Sequence, residues 1–240
     1  GSEALHSVHL TAGKTMPWDR RWAVAHDAAK AGSTAWSPCA NFSRGAKAPA
    51  LRASAAKTHE ATGQVTLTHP DLGTLTVHPD TEADALIAWA GPLIPNNRAQ
   101  SARIIRVPER GMTDTDFPSI SINSMSSLRA LSQRAGAELA TRRFRGNLWL
   151  DGLGPWEEFE WIGKTLRSGA AELRVVERIG RCLATPATPE TGLRDVDVLG
   201  SMENGWDHTD FGVYAEVVTS GELRGDDQVD VLRSSFHIRL

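Results

Sequence analysis

The chain has 240 residues, 40% of them apolar and 23% charged, which suits a soluble globular protein of one large domain or two small ones. Lys and Arg number 26 against 29 Asp and Glu, a net charge of −3, so the basic excess that drives nonspecific nucleic-acid binding is missing. No apolar run reaches the roughly twenty residues needed to cross a bilayer, and no signal-peptide pattern opens the chain, so the expectation is a cytoplasmic protein engaging neither nucleic acid nor membrane.

Alternating apolar residues predict strands over 6–13, 21–27, 63–69 and 73–79, and His69-Pro70-Asp71-Leu72-Gly73 supplies the turn between the last two. The segment SRGAKAPALRASAAK, 43–57, reads as a loop or flap. A helix is predicted within the segment 81–93, with Thr81 as N-cap, Asp84 in the first turn and Pro92 following its end. Strands follow over 101–107 and 118–122. A helix over 123–136 is capped by Ser124 or Ser126 and stopped by Gly136, and a strand over 147–152 comes after it. Further strands are predicted over 171–179, 211–221 and 227–233, with a weaker helical pattern at 194–205. Many short strands, Gly/Pro turns and few helices predict a mainly β fold, either a β-barrel or a strongly bent sheet system.

Several chemistries lack support. There is no GxxxxGK[ST] loop, no GxGxxG after a strand, no HExxH and no GxSxG. The two cysteines, Cys39 and Cys182, form neither a disulfide framework nor a zinc spacing, and they fit a reducing compartment. Cys182 stands out in RIGRCLATPATPETG, 178–192, where a strand ends in a Thr/Pro/Gly turn. Arg178 and Arg181 lie beside it, and neighbouring cations favour thiolate over thiol. A soft thiolate at a strand end binds a soft or high-valent metal, or carries sulfur. On these residues alone, a packed apolar thiol is the competing reading. Cys39 reads as a packed or loop thiol, or as a neighbour of the same site.

Four runs in order resemble the MOSC domain family and its companion domain. RRFRGNLWLDGLGPWEEFEWIG (142–163), ERIGRCLATPATPETG (177–192) and FGVYAEVVTSGELRGDDQVDV (211–231) resemble MOSC itself, and HSVHLTAGKTMPWDRRWAV (6–24) is similar to the β-rich domain that precedes it. The resemblance implies a MOSC β-barrel over 96–240 and a smaller β-rich N-terminal region over 1–95. It also implies a molybdenum cofactor, a phosphate-bearing pyranopterin whose dithiolene holds molybdenum, with Cys182 as metal ligand and catalytic residue.

The same resemblance places Arg20 of DRRW at the pterin or phosphate end, and Arg145 and Asn147 of RFRGN on a strand facing the cofactor, with Arg143 beside them. Arg143 and Arg145 would then share one strand face, for anion binding or for cross-strand salt bridges. Arg181 and Thr185 belong to the motif around Cys182, and Asn41 and Arg44 match a loop of the family. Ser124 and Ser126, at a helix start, offer hydroxyl and N–H groups to phosphate or serve as N-caps.

Two departures accompany the match. Family members commonly begin with a Pro-x-Lys strand that has no counterpart before His6, and the familiar FR-Pro-N is FR-Gly-N at Gly146. The resemblance leaves two functions open, beside a degenerate member that uses the barrel only as an interaction scaffold. One is reduction of N-hydroxylated, amidoxime-type substrates with electrons from separate redox partner proteins. The other is a non-catalytic carrier that delivers cofactor or persulfide sulfur to a receiving enzyme.

Overall fold

A computed structural model of the chain describes residues 3–232; residue 233, the end of the last predicted strand, lies outside the described residues. In chain order the strands and helices are β1 (Ser7–Leu10), β2 (Ala23–His26), β3 (Ala55–His59), β4 (Gln64–His69), β5 (Gly73–Val77), α1 (Ala83–Ala90), β6 (Ser101–Ile105), β7 (Ile120–Ser124) and α2 (Met125–Ala135). They continue with β8 (Leu148–Leu150), β9 (Thr165–Ser168), β10 (Ala171–Gly180), α3 (Val198–Trp206), β11 (Asp210–Thr219), β12 (Gly221–Arg224) and β13 (Asp230–Leu232). The fold is mainly β, as the turn-rich pattern requires.

Its centre is a curled six-stranded sheet ordered β13-β9-β10-β11-β7-β8, antiparallel except for the parallel β7–β8 pair. Period-two alternation turns Ala171, Leu173 and Val175 of β10, and Phe211, Val213, Ala215 and Val217 of β11, toward the interior. Three register shifts interrupt the β10–β11 ladder, at Glu172/Leu173, Val175/Glu177 and Arg178/Gly180. Bulges raise local twist, so they curl the sheet into a half-barrel around Leu10, Ile120, Ile122, Leu166 and Leu223. Separate ladders join β1 to β12, β2 to β6, and β3 to β4 to β5. Backbone pairing therefore crosses the expected division at residue 95 twice, at β1–β12 and at β2–β6.

The helices follow their caps. Ser124 Oγ accepts from Ser127 N at 3.2 Å and Gly136 ends α2 at φ +66°, whereas Asp197 caps α3 through Gly200 N. α1 starts after Glu82 instead of Thr81, because the Glu82 carboxylate accepts His78 N–H at 2.7 Å while Thr81 closes a turn onto the His78 carbonyl. α2 and α3 bury Leu128, Leu131, Val198 and Met202 against Phe144 and Phe211, whose rings stack at 4.0 Å. β3 begins inside the segment expected to be a loop, 43–57, and runs two residues beyond it. Its alanines carry no strand signal, and pairing with β4 makes it a strand.

One buried carboxyl links α2 to the turn at Glu157–Trp161. Both oxygens of wholly buried Glu158 accept from Ser127 Oγ at 3.0 Å, and that oxygen in turn accepts Trp156 N–H. Burial pushes the Glu158 carboxyl above its ordinary value. A raised carboxyl holds its proton more tightly when folded, so stability is full below the unfolded-state value and falls as pH rises through the folded one. Glu158→Gln is expected to exceed the wild type in urea midpoint at pH 7–8, with the gap closing below about pH 4. The gap is worth about 1.4 kcal/mol for each tenfold change in proton affinity. A variant equally stable or weaker at pH 8 contradicts this account.

Candidate functional site

A cleft of about 520 Å³ opens where the β2–β6 and β3–β5 ladders meet the end of β10. Its lining includes seven arginines, at 20, 44, 52, 142, 143, 145 and 181, and a single carboxylate, Asp114. Cys182 is exposed in this cleft, immediately beyond β10, and the half-buried Cys39 lines it as well.

The turn carrying Cys182 is held from several sides. Arg181 donates to the carbonyls of Phe211 (Nε, 2.9 Å) and Phe144 (2.7 Å) and to Asn123 Oδ1 (2.9 Å), so it ties β11, β7 and the turn before β8 together. Arg143, only 5% exposed, donates to Pro186 O at 2.9 Å and pairs with Asp195 at 2.6 Å, bracing the far side of the turn. Thr185 N–H closes the turn onto Cys182 O at 3.0 Å. Arg194 bridges Leu183 O and Ala46 O, lacing the Cys182 loop to the loop that follows Cys39.

The expectation that Arg143 and Arg145 share a strand face is corrected. Thr141–Arg143 is a 3-10 turn, Arg145 has φ +51°, and β8 begins only at Leu148. The cause is Asn147, whose Oδ1 accepts both the N–H and the hydroxyl of Ser121, replacing ladder pairing with a side-chain clasp. Its Nδ2 donates to Asp19, the carboxylate paired with Arg20, so Asn147 acts through Asp19. Glycine at 146 follows from the same crowding, because a Cβ there would overlap the Asn123 amide and the Trp149 indole nitrogen.

Ser124 and Ser126 are not brought to the cleft. Ser124 is wholly buried as the α2 cap, and Ser126 Oγ accepts from Arg129. Arg20, Arg44, Arg145 and Thr185 do line it. Arg44 Nη1 donates to Cys39 Sγ at 2.9 Å, whereas Asn41 accepts from Lys30 N–H and donates to Pro38 O.

Charge in the cleft is unbalanced. Arg20, Arg142 and Arg143 have carboxylate partners, while Arg44, Arg52, Arg145 and Arg181 make no ion pair among the described residues. Burial, then repulsion from Arg145, pushes Arg52 down to about 10. Burial also brings Arg181 to about 10. Repulsion from Arg20, then burial, lowers Arg145. For Arg20, burial works against the charge, but Asp19 and Asp114 outweigh it and raise the guanidinium. All four stay charged at neutral pH, and their mutual repulsion is relieved by an anion. Burial, with Asp114 adding, pushes the Tyr214 phenol up to about 12, so its oxygen keeps a proton to donate.

Arg52, Asp114 and Tyr214 went unrecognised in the sequence. Tyr214 had a readable signal, since it alternates with buried Val213 and Ala215 and so points to the opposite face. Arg52 sat in the supposed loop, and Asp114 in a stretch without periodicity.

Residues 112–230 match the family model for the MOSC domain. Two solved structures are similar. YiiM from Geobacillus stearothermophilus is 18% identical with a TM-score of 0.36, over 48% of this chain and 54% of that one. YiiM from Escherichia coli is 18% identical with a TM-score of 0.37, over 50% and 56%. The chain thus spans about half the length of either protein. No curated protein matches it.

The two thiols differ in a way alkylation can read. Burial raises Cys39, against the lowering by Arg44, and Cys182 is exposed. With iodoacetamide at pH 7.5, peptide mass spectrometry is expected to find Cys182 modified first and Cys39 about tenfold slower or more. Faster labelling of Cys39 would contradict the geometry.

Proposed function

The chain belongs to the MOSC family through residues 112–230, and from that premise we propose that the cleft binds an anionic pyranopterin molybdenum cofactor and serves reduction of N-hydroxylated, amidoxime-type substrates. The observation that carries this reading is an exposed thiol, Cys182, opening into a cleft where four guanidiniums make no ion pair among the described residues. The donor set fits the group: guanidiniums suit phosphate and dithiolene charge, and a thiolate suits the metal.

Arg52 and Arg145 would neutralise the anionic parts, and Cys182 would ligate molybdenum. Arg44 keeps its bond to Cys39 and adds positive charge at the rim. Arg143 and Arg181 act indirectly, because carbonyls, Asn123 and Asp195 engage their donors and their task is to fix the Cys182 turn. Asp19, held by Asn147, orients Arg20. When bound, the cofactor supplies two-electron redox chemistry at its metal. Conversion of an N–OH group to N–H consumes two electrons and two protons and releases water. The Tyr214 hydroxyl, still protonated at neutral pH, is a donor within the cleft for that proton demand. Electrons would arrive from separate redox partner proteins.

Protein made in a cofactor-competent host is expected to carry molybdenum and to reduce benzamidoxime with a chemical donor. Cys182→Ser should remove more than nine-tenths of the activity without altering the fold. Arg145→Ala and Arg52→Ala should lower molybdenum per chain several-fold. Full activity in Cys182→Ser overturns the proposal. Bound pterin, or a persulfide on Cys182, without turnover would instead make the protein a carrier.

A further inference from the structure

The two cysteines of the chain are remote in sequence, yet both line one cleft. Their turns are laced together. A Cβ on Gly45 would lie 3.7 Å from the Cβ of Ala184, just past Cys182. Arg194 bridges Leu183 O at 3.2 Å and Ala46 O at 3.0 Å, and Arg44, next to Gly45, donates to Cys39 Sγ at 2.9 Å. The sulfurs also act on each other electrostatically. Burial is the main cause that raises the Cys39 thiol, Arg44 opposes it, and Asp114 and Cys182 add to it.

The two thiols are unlike in a way that divides the work between them. Cys182 is exposed, and its turn is fixed by Arg181, Arg143 and the Thr185 N–H on Cys182 O. Cys39 is half-buried on a single 3-10 turn, Cys39–Asn41, which buries no side chain and is flanked by exposed Pro38. A solvent-borne oxidant therefore reaches Cys182 first. The Cys39 turn is the side that can shift to reach disulfide geometry, a Cβ separation of about 4 Å. The Arg44 N–H on its sulfur favours the ionised form that an attacking thiol needs.

We infer that Cys182 and Cys39 are a site of reversible oxidative modification, in which a hydroperoxide oxidises Cys182 and Cys39 resolves it to an intramolecular disulfide. With hydrogen peroxide, the Cys182 sulfur attacks one oxygen; the S–O bond forms, the O–O bond breaks and hydroxide leaves. The Cys39 sulfur then attacks the sulfenic sulfur of Cys182; the S–S bond forms, the S–O bond breaks and a second hydroxide leaves. The two thiol protons convert both hydroxides to water, and two electrons pass from the sulfurs to the peroxide. A dithiol reductant restores both thiols. In a reducing compartment a bond of this kind is transient and reports the oxidant. It withdraws the sulfur that the functional reading assigns to the metal, but its formation does not depend on that reading.

The test uses the whole chain, made in a host without the molybdenum cofactor so that Cys182 is unligated, then reduced and freed of reductant. It is treated with one equivalent of hydrogen peroxide and mapped by non-reducing peptide mass spectrometry. The expected product is a monomer whose Cys39 and Cys182 peptides are joined with loss of two hydrogens, and dithiothreitol returns it to two thiols. Cys39→Ser should instead accumulate sulfenic acid on Cys182, trapped by dimedone. Should that variant fail to fold, the wild-type map decides by itself. Sulfinic acid on Cys182 with Cys39 left as a free thiol overturns the inference, and so do disulfides formed only between chains. Benzamidoxime reduction is measured separately on reduced, molybdenum-loaded protein, so its failure sinks the functional reading and leaves the disulfide standing.

Discussion

The turn that presents Cys182 depends on one guanidinium that makes no ion pair among the described residues. Arg181 spends its donors on two backbone carbonyls and one amide oxygen, which pins β11, β7 and the Phe144 turn to the end of β10. Neutral acceptors satisfy its hydrogen bonds without cancelling its charge. Burial then depresses its proton affinity while leaving a positive field beside Cys182. A carboxylate in place of Asn123 would neutralise that field and leave only Arg44, Arg52 and Arg145 as cleft guanidiniums without an ion pair among the described residues. Asn123 is itself wholly buried, with its Nδ2 unpartnered, so the brace is held at some cost in polar satisfaction.

A second cost sits in the backbone. Arg20 and Arg145 both adopt left-handed conformations, φ +51° in each, a region that side chains other than glycine rarely occupy. The clasp from Asn147 to Ser121, its bond to Asp19, and the Asp19–Arg20 pair constrain both positions together. Strain and like-charge crowding thus coincide where two guanidiniums meet. Local stability has been given up there for a fixed arrangement of charge.

How much was legible follows from the kind of signal each feature leaves. Alternation in β10 and β11 and the cap residues Ser124 and Gly136 were readable because they are local. The motif around Cys182 placed an arginine and a thiol together, and the fold puts both at one cleft. Arg143 and Arg145 were misassigned to a strand because a side-chain clasp from Asn147 leaves no trace in periodicity. β3 was hidden because alanine is indifferent to strand or loop, and Arg52 was hidden with it. Trp22 and Trp89 were missed for another reason: they lie far apart in sequence and line the same cleft only through tertiary packing.

The pairing of Ser7 with Arg224 and of Ala23 with Ile105 has a temporal meaning. During synthesis the loop holding Cys39 and Arg52 emerges long before the strand that presents Cys182, and the first ladder cannot close until β12 has left the ribosome. Contacts of such long separation form late, after the shorter hairpins. A nascent chain that stalled before Tyr214 would hold the arginines of the cleft without its full lining, so the cleft is complete only once β11 has emerged.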